Sequence, residues 1–297
     1  MNKFTKTKRK TLSLIMAAAV SAGMLTACGN NPSTQSPEST PPADTTGSKT
    51  EAVTSADIPE TAETTAVPEA DNDLAILHQN VIDSPEWLTK LDAVSDTEQI
   101  IVVAGVGETT AYVSMHEKNS DGKWEMLLQT PGYIGLEGMG DADCDHAMTP
   151  VGTFTVGKAF GIADDPGCQI EYTKVTADDY WSGDMREGMH FNEFVNINDV
   201  PGLDPNECEH LIDYTYEYTY FLDMGYNPEC IPEEGSCFFF HCMSLVKPYT
   251  GGCVAVNEAV MKEILRRIKP GCKITIDTAD NLGIDLNEAR TVANKLV

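Results

Sequence analysis

The chain has 297 residues, 46 acidic and 20 basic, and a formal charge of −26. Such a polyanion repels nucleic acid and anionic lipid head groups, so electrostatic binding to either is excluded. The charge points to solubility and to no particular substrate.

Lys3, Lys6, Lys8, Arg9 and Lys10 precede an apolar stretch from Leu12 to Leu25, and Leu25-Thr26-Ala27-Cys28 follows. A charged start, a short apolar segment and small residues before a cut predict a secretory leader over 1–27. The apolar stretch is shorter than the roughly 20 residues that a spanning helix needs. Leu-Thr-Ala-Cys resembles a bacterial lipobox, which makes Cys28 the expected site of lipidation and lipid the expected anchor. Removing 1–27 leaves 15 basic against 46 acidic residues, a net −31. Residues 28–74 are rich in Ser, Thr, Pro and Glu and have no aromatic residue, so a disordered, extended linker is expected. Residues 75–297 have globular composition and suffice for one domain with a sizeable core.

Within that domain Pro85 to Leu91 predicts a short helix. Gln99–Ala104, Thr109–Met115 and Trp124–Leu128 predict strands, with a turn at Asn119–Gly122. Strands at short spacing with little helix between them predict a mainly β domain. Gly132–Gly140 reads as a glycine-rich loop. Asp141 to His146 carries Cys, His and carboxylates without the spacing of a zinc site or an EF-hand, so it reads as a solvated loop and no metal is assigned. Gly152–Val156 predicts a strand, with Thr149-Pro150 shaping the chain before it. The aromatic residues of 172–200, Trp181 among them, read either as a substrate wall or as core beneath a long loop, and His190 as a polar wall residue. Tyr214 to Tyr220 alternates as a half-buried strand should.

Next, an apolar run from Cys237 to Phe240 delivers His241. A polar stretch broken by Pro248 leads to Tyr249-Thr250-Gly251-Gly252-Cys253. This reads as a strand–loop–strand unit holding a Cys/His pair. A thiolate is a strong nucleophile, and an imidazole can take its proton and return it to a leaving amine. Amides near Gly251 and Gly252 could hold an oxyanion. Residue chemistry alone also allows a buried cysteine beside a structural histidine. After Cys253, Asn257 caps a helix whose apolar face is Val260, Met261, Ile264, Leu265 and Ile268, ended by Pro270-Gly271. Lys273–Asp277 predicts a last strand, and Leu286–Lys295 a short helix of no evident role.

Taken together, His241, Tyr249-Thr-Gly-Gly-Cys-Val-Ala255, Thr149-Pro-Val-Gly-Thr-Phe154, Ala159-Phe-Gly161, Asp178-Asp-Tyr-Trp181, His190-Phe-Asn192 and Gly225-Tyr-Asn227 resemble the L,D-transpeptidase (YkuD-like) catalytic domain over roughly residues 84–277. The resemblance is to the branch carrying Gly-Cys-Val-Ala. It implies a mainly β sandwich with a few short helices, one directly after the cysteine. It also implies a lipid-anchored enzyme acting in the cell wall on peptidoglycan stem peptides. Cys253 would be the nucleophile and His241 the general acid/base, oriented by a backbone carbonyl just after it. The products would be 3→3 cross-links and released D-alanine, without metal or organic cofactor. Water as acceptor would make it an L,D-carboxypeptidase, and lost turnover would leave a wall-binding module. Tyr249, Thr250, Trp181 and His190 are candidate substrate contacts. Ala255 and Gly251 stand where better-known members carry arginine and histidine, with Lys158, Arg186 and Lys247 as candidate replacements for the missing clamp. Among the remaining cysteines, Cys208, Cys230 and Cys237 are the expected disulfide partners, and Cys242 is expected on the strand face opposite His241.

Overall fold

The computed structural model describes residues 76–296. The expected leader, Cys28 and the linker lie outside the described residues. The described chain is mainly β, with sixteen strands and two α-helices. Three long strands form the centre: β2 (Gln99–Gly105), β3 (Thr110–Lys118) and β4 (Trp124–Tyr133), paired antiparallel in sequence order; β1 (Ile76–Asp83) precedes them and pairs with β4. Short strands follow: β5 (Met139–Gly140), β6 (Thr149–Pro150), β7 (Gly152–Thr155), β8 (Ala159–Gly161), β9 (Tyr172–Lys174), β10 (Asp179–Ser182), β11 (Phe194–Asn196), β12 (Cys208–His210), β13 (Phe221–Asp223), β14 (Phe239–Cys242), β15 (Val254–Val256) and β16 (Lys273–Thr278). The main sheet runs β7-β16-β2-β3-β4-β15-β14-β13-β8-β9, and β11-β10-β12 form a separate small sheet.

β2 shows why the sheet is a core and not a half-solvated surface. Ile100 to Ala104 are all buried. Ile101 and Val103 join one cluster with Val260, Met261, Ile264, Leu265 and Ile268, while Ile100, Val102 and Ala104 join another with Leu282, Ala289 and Val292. Layers on both faces explain why β2 reads as an unbroken apolar run instead of an alternating one. The first layer is α1 (Glu258–Arg267), capped by Asn257 Oδ1, which accepts the Ala259 amide at 2.9 Å. The second includes α2 (Leu286–Ala293), so the C-terminal tail completes the second core. Each fully buried Leu or Ile contributes about 1.5–3 kcal/mol.

Several expectations are corrected. Pro85–Leu91 yields one 3-10 turn, Leu88–Lys90, not a longer helix. Tyr214 to Tyr220 is a coiled turn: the Tyr218 amide donates to the Tyr214 carbonyl at 2.8 Å, and Thr219 Oγ1 to that of Thr215 at 3.1 Å. Tyr214 and Tyr218 stack with centroids 4.8 Å apart. Alternation at two residues also places every second pair four apart, which is the spacing of a helical turn. All eight described cysteines are free thiols, so the bridging expected among Cys208, Cys230 and Cys237 is not formed.

Candidate active site

Cys253 and His241 are held by neighbouring parallel strands. β14 and β15 pair with Phe240 opposite Val254 and His241 opposite Ala255. Strand alternation then puts Phe239, His241, Cys253 and Ala255 on one face, with Cys253 level with Phe239 and His241 about 6–7 Å further along. Cys242 falls on the other face, in the α1 core, its thiol donating to the Tyr220 carbonyl at 3.4 Å.

His241 Nδ1 is 2.7 Å from the Cys242 carbonyl, which can only accept. Nδ1 therefore carries the proton and Nε2 the lone pair. The Cys253 thiol donates to the Cys237 carbonyl at 3.2 Å and accepts the Phe239 amide at 3.3 Å. Both side chains are buried, Cys253 at 9% and His241 at 7% exposure. Burial pushes the Cys253 thiol up to about 12; the Phe239 amide opposes this and the Glu209 carboxylate adds to it. Burial also holds His241 below the ordinary imidazole value, against the pull of the Cys242 carbonyl and Glu217. At neutral pH the resting pair is thus thiol and neutral imidazole, and the proton must move as the sulfur attacks.

The backbone around Cys253 is fixed from three sides. Its carbonyl accepts the hydroxyls of Thr250 at 2.7 Å and Thr149 at 3.2 Å. Thr149 Oγ1 also accepts the Gly135 amide at 2.8 Å, and Thr250 Oγ1 the Gly252 amide at 3.1 Å. Gly252 has φ +135, and a Cβ there would meet the Met148 carbonyl and the Phe238 ring at 2.8 Å. Cys237, whose carbonyl accepts the hydrogen bond of the thiol, is itself in the left-handed region at φ +63. Its amide donates to Asn192 Oδ1 at 3.4 Å, which also accepts Trp181 Nε1 at 2.9 Å, while Asn192 Nδ2 reaches the Asn227 carbonyl at 3.0 Å.

The expected substrate contacts separate. Thr250 is buried and bonded to the Cys253 backbone. Trp181 is 5% exposed and edge-on to Phe239, centroids 4.7 Å apart, so it floors the site and forms no exposed wall. His190 is exposed, bonded to Glu193 Oε2 at 2.6 Å. Tyr249 is half-buried, on the loop whose tip exposes Leu245 and Val246. Lys158 is paired with Glu171 and Arg186 with Asp184, whereas Lys247 has no ion-pair partner among the described residues. In the Asp141–His146 loop, Asp143 bonds His146 at 2.9 Å. Sequence reasoning missed the bonds of Thr149 and Asn192, although both residues fall inside quoted motifs. It also missed Glu209 and Tyr218, for which the acidic, irregular segment around them gives no signal.

The mainly β fold thus carries a thiol and an imidazole on one face of neighbouring strands. A model of the L,D-transpeptidase catalytic domain (YkuD) matches residues 96–276, more than half of the chain, and the chain belongs to that family. No curated protein and no solved structure matches it significantly.

Proposed function

We propose that the chain is an exported, lipid-tethered peptidoglycan L,D-transpeptidase that forms 3→3 cross-links. The observation that carries this reading is the pair itself: an unprotonated His241 Nε2 on the same strand face as the Cys253 thiol, with the opposite nitrogen locked by Cys242. Cys253 Sγ attacks the carbonyl of the third residue of a tetrapeptide stem while His241 Nε2 takes the thiol proton. The tetrahedral oxyanion is held by backbone amides at Gly251 to Cys253; Gly252 must release Thr250 Oγ1 to contribute. Collapse breaks the peptide bond, and His241 returns the proton to the departing D-alanine amine, leaving a thioester. A neighbouring stem's amine attacks the thioester, gives its proton to His241 and frees the thiol. Lys247, on the loop between base and nucleophile, replaces the missing arginine as the carboxylate clamp. The basic leader, short apolar segment and Leu-Thr-Ala-Cys28 support export and lipid attachment at the outer face of the membrane.

The test is incubation of the full chain with purified disaccharide-tetrapeptide. Dimers linked 3→3, free D-alanine and an acyl adduct on Cys253 are expected, all lost in Cys253→Ala. Tripeptide without dimers would make the protein a carboxypeptidase. Wall binding with neither product nor adduct would leave only a binding module.

A further inference from the structure

Glu209 stands beside the thiol with no evident reason to be there. β10 and β12 pair Trp181 with Glu209, and directly opposed residues of an antiparallel pair share a face. Trp181 packs on Phe239, in the cluster that contains Cys253, so the carboxylate is carried on the side of the small sheet that faces the nucleophile. Tyr218 belongs to the same cluster, is 4% exposed, and donates its hydroxyl to Glu209 Oε1. The Tyr218 ring is edge-on to His241 at 5.7 Å and to Phe239 at 5.6 Å. Tyr218 thus bridges the imidazole and the carboxylate.

Glu209 has no lysine, arginine or histidine partner among the described residues, and Tyr218 supplies the hydrogen bond made to it. Burial holds the Glu209 carboxyl up at about 7, so its charged form, without a counter-ion, is the unfavourable one. Burial is what chiefly raises the cost of a Cys253 thiolate, and the Glu209 charge adds to it. A group that burdens both the fold and the first chemical step is explained by what it binds. An incoming cation would offset the charge of Glu209 in both respects, and the site already holds Tyr218 in place to orient the carboxylate.

We propose that Glu209, oriented by Tyr218, seats an ammonium group of the substrate next to Cys253. This rests on the transpeptidase reading, in which a free amine occurs on the side chain of the donor's diamino residue and on the acceptor stem. The two sources share one chemistry and are separated by half-reaction.

In the donor arm, formation of the Cys253 acyl adduct is followed by intact mass at varied concentrations of tetrapeptide with its side-chain amine free or acetylated. In the acceptor arm, the acceptor concentration that gives half-maximal dimer formation is measured. If the donor's ammonium is seated, Glu209→Gln raises half-saturation for the free-amine donor about tenfold and leaves the acetylated donor unchanged. If the acceptor's is seated, half-saturation by either donor is unchanged and the acceptor half-saturation rises about tenfold. Near-ultraviolet circular dichroism and a cooperative thermal transition report whether the site stays folded. Should Glu209→Gln misfold, Tyr218→Phe keeps the carboxylate, removes its orienting bond and moves the same half-saturation in the same direction. Unchanged half-saturation in both arms overturns the ammonium seat and leaves the transpeptidase intact. Failure of the wild-type protein to form adduct or dimer overturns both.

Discussion

The Cys253 carbonyl offers a quantitative test of how the site is held. It accepts two hydroxyls, Thr250 at 2.7 Å and Thr149 at 3.2 Å, and all three residues are buried. Each threonine also accepts a buried amide, Gly135 for Thr149 and Gly252 for Thr250. Thr149→Val keeps the shape and removes the hydroxyl. The carbonyl retains Thr250, so the main cost is the orphaned Gly135 amide, about 1–3 kcal/mol for a buried unsatisfied group. At about 2 °C to 4 °C per kcal/mol for a domain of this size, that is a fall in melting temperature of about 2–12 °C. Thr149→Ser keeps the donor and should change stability by no more than about 0.5 kcal/mol. Thr250→Val should cost a similar amount to Thr149→Val for the same reason. The double variant leaves the carbonyl itself without a hydroxyl donor and should lose about 1 kcal/mol more than the two single losses together. Calorimetry of the four proteins measures this cycle, with chloroacetamide labelling of Cys253 as a local probe. Strict additivity would refute the claim that both hydroxyls serve one carbonyl. An unchanged melting temperature for Thr149→Val would refute the role of Thr149 altogether.

Gly252→Ala should destabilise by about 2 kcal/mol or more, since φ +135 and the contacts at Met148 and Phe238 both resist a Cβ. Gly251→Ala, with open space around the added atom, should shift stability by less than about 0.5 kcal/mol; equal thermal losses in the two variants would contradict this geometry. Alkylation of Cys253 should keep rising with pH by about tenfold per unit beyond pH 9, because burial holds the thiol near 12; a plateau below pH 9 would disprove that burial effect. Two groups shifted by burial shape the pH dependence of stability, with opposite signs. Burial lowers His116 from 6.5 to about 3, so the unfolded chain takes the proton first and stability falls as pH drops from about 6.5 toward 3, by up to about 1.4 kcal/mol per unit. Burial raises Glu209 from 4.5 to about 7 against the Tyr218 bond, so its protonated form favours the fold below 4.5 and that contribution is lost as pH rises through 7. Urea titrations across pH should show the acid limb flattened in His116→Asn and the neutral limb flattened in Glu209→Gln. Unaltered limbs would count against these assignments.

Local patterns carried much of the fold. The run Gln99–Ala104, the turn at Asn119 and the Asn257-capped helix each contain their own instruction: branching, a turn residue, or a cap followed by periodic apolar positions. Short strands such as β8 to β13 carry no such instruction, because three or four residues cannot establish a period and their pairing depends on distant partners. Ile76–Asp83 shows the same limit, since its place is set by β4. α2 was visible as a helix but its purpose was not. That purpose lies in the second face of β2, and the one hint was that β2 is apolar without a break from Ile100 to Ala104.

At the site, the same division separates the chemistry from its support. Cys253 and His241 stand out because a thiol after two glycines and an imidazole after an apolar run mark chemistry within a few residues. The Cys242 carbonyl that sets the imidazole tautomer is also local, one residue on. Thr149 acts across 104 residues, Asn192 on Cys237 across 45, and Glu209 reaches the site only because β12 pairs with β10. Such contacts have no spacing rule in the chain. Glu209 further lacks even a compositional signal, as one of 46 acidic residues in a strongly anionic protein. What distinguishes it is physical: a carboxylate without a cation, placed where a negative charge makes the neighbouring sulfur less reactive. A solvated acidic face would impose no such burden on the thiol. The position therefore argues for a bound cation, which would lift the smaller, electrostatic part of the cost of ionising a thiol held up mainly by burial.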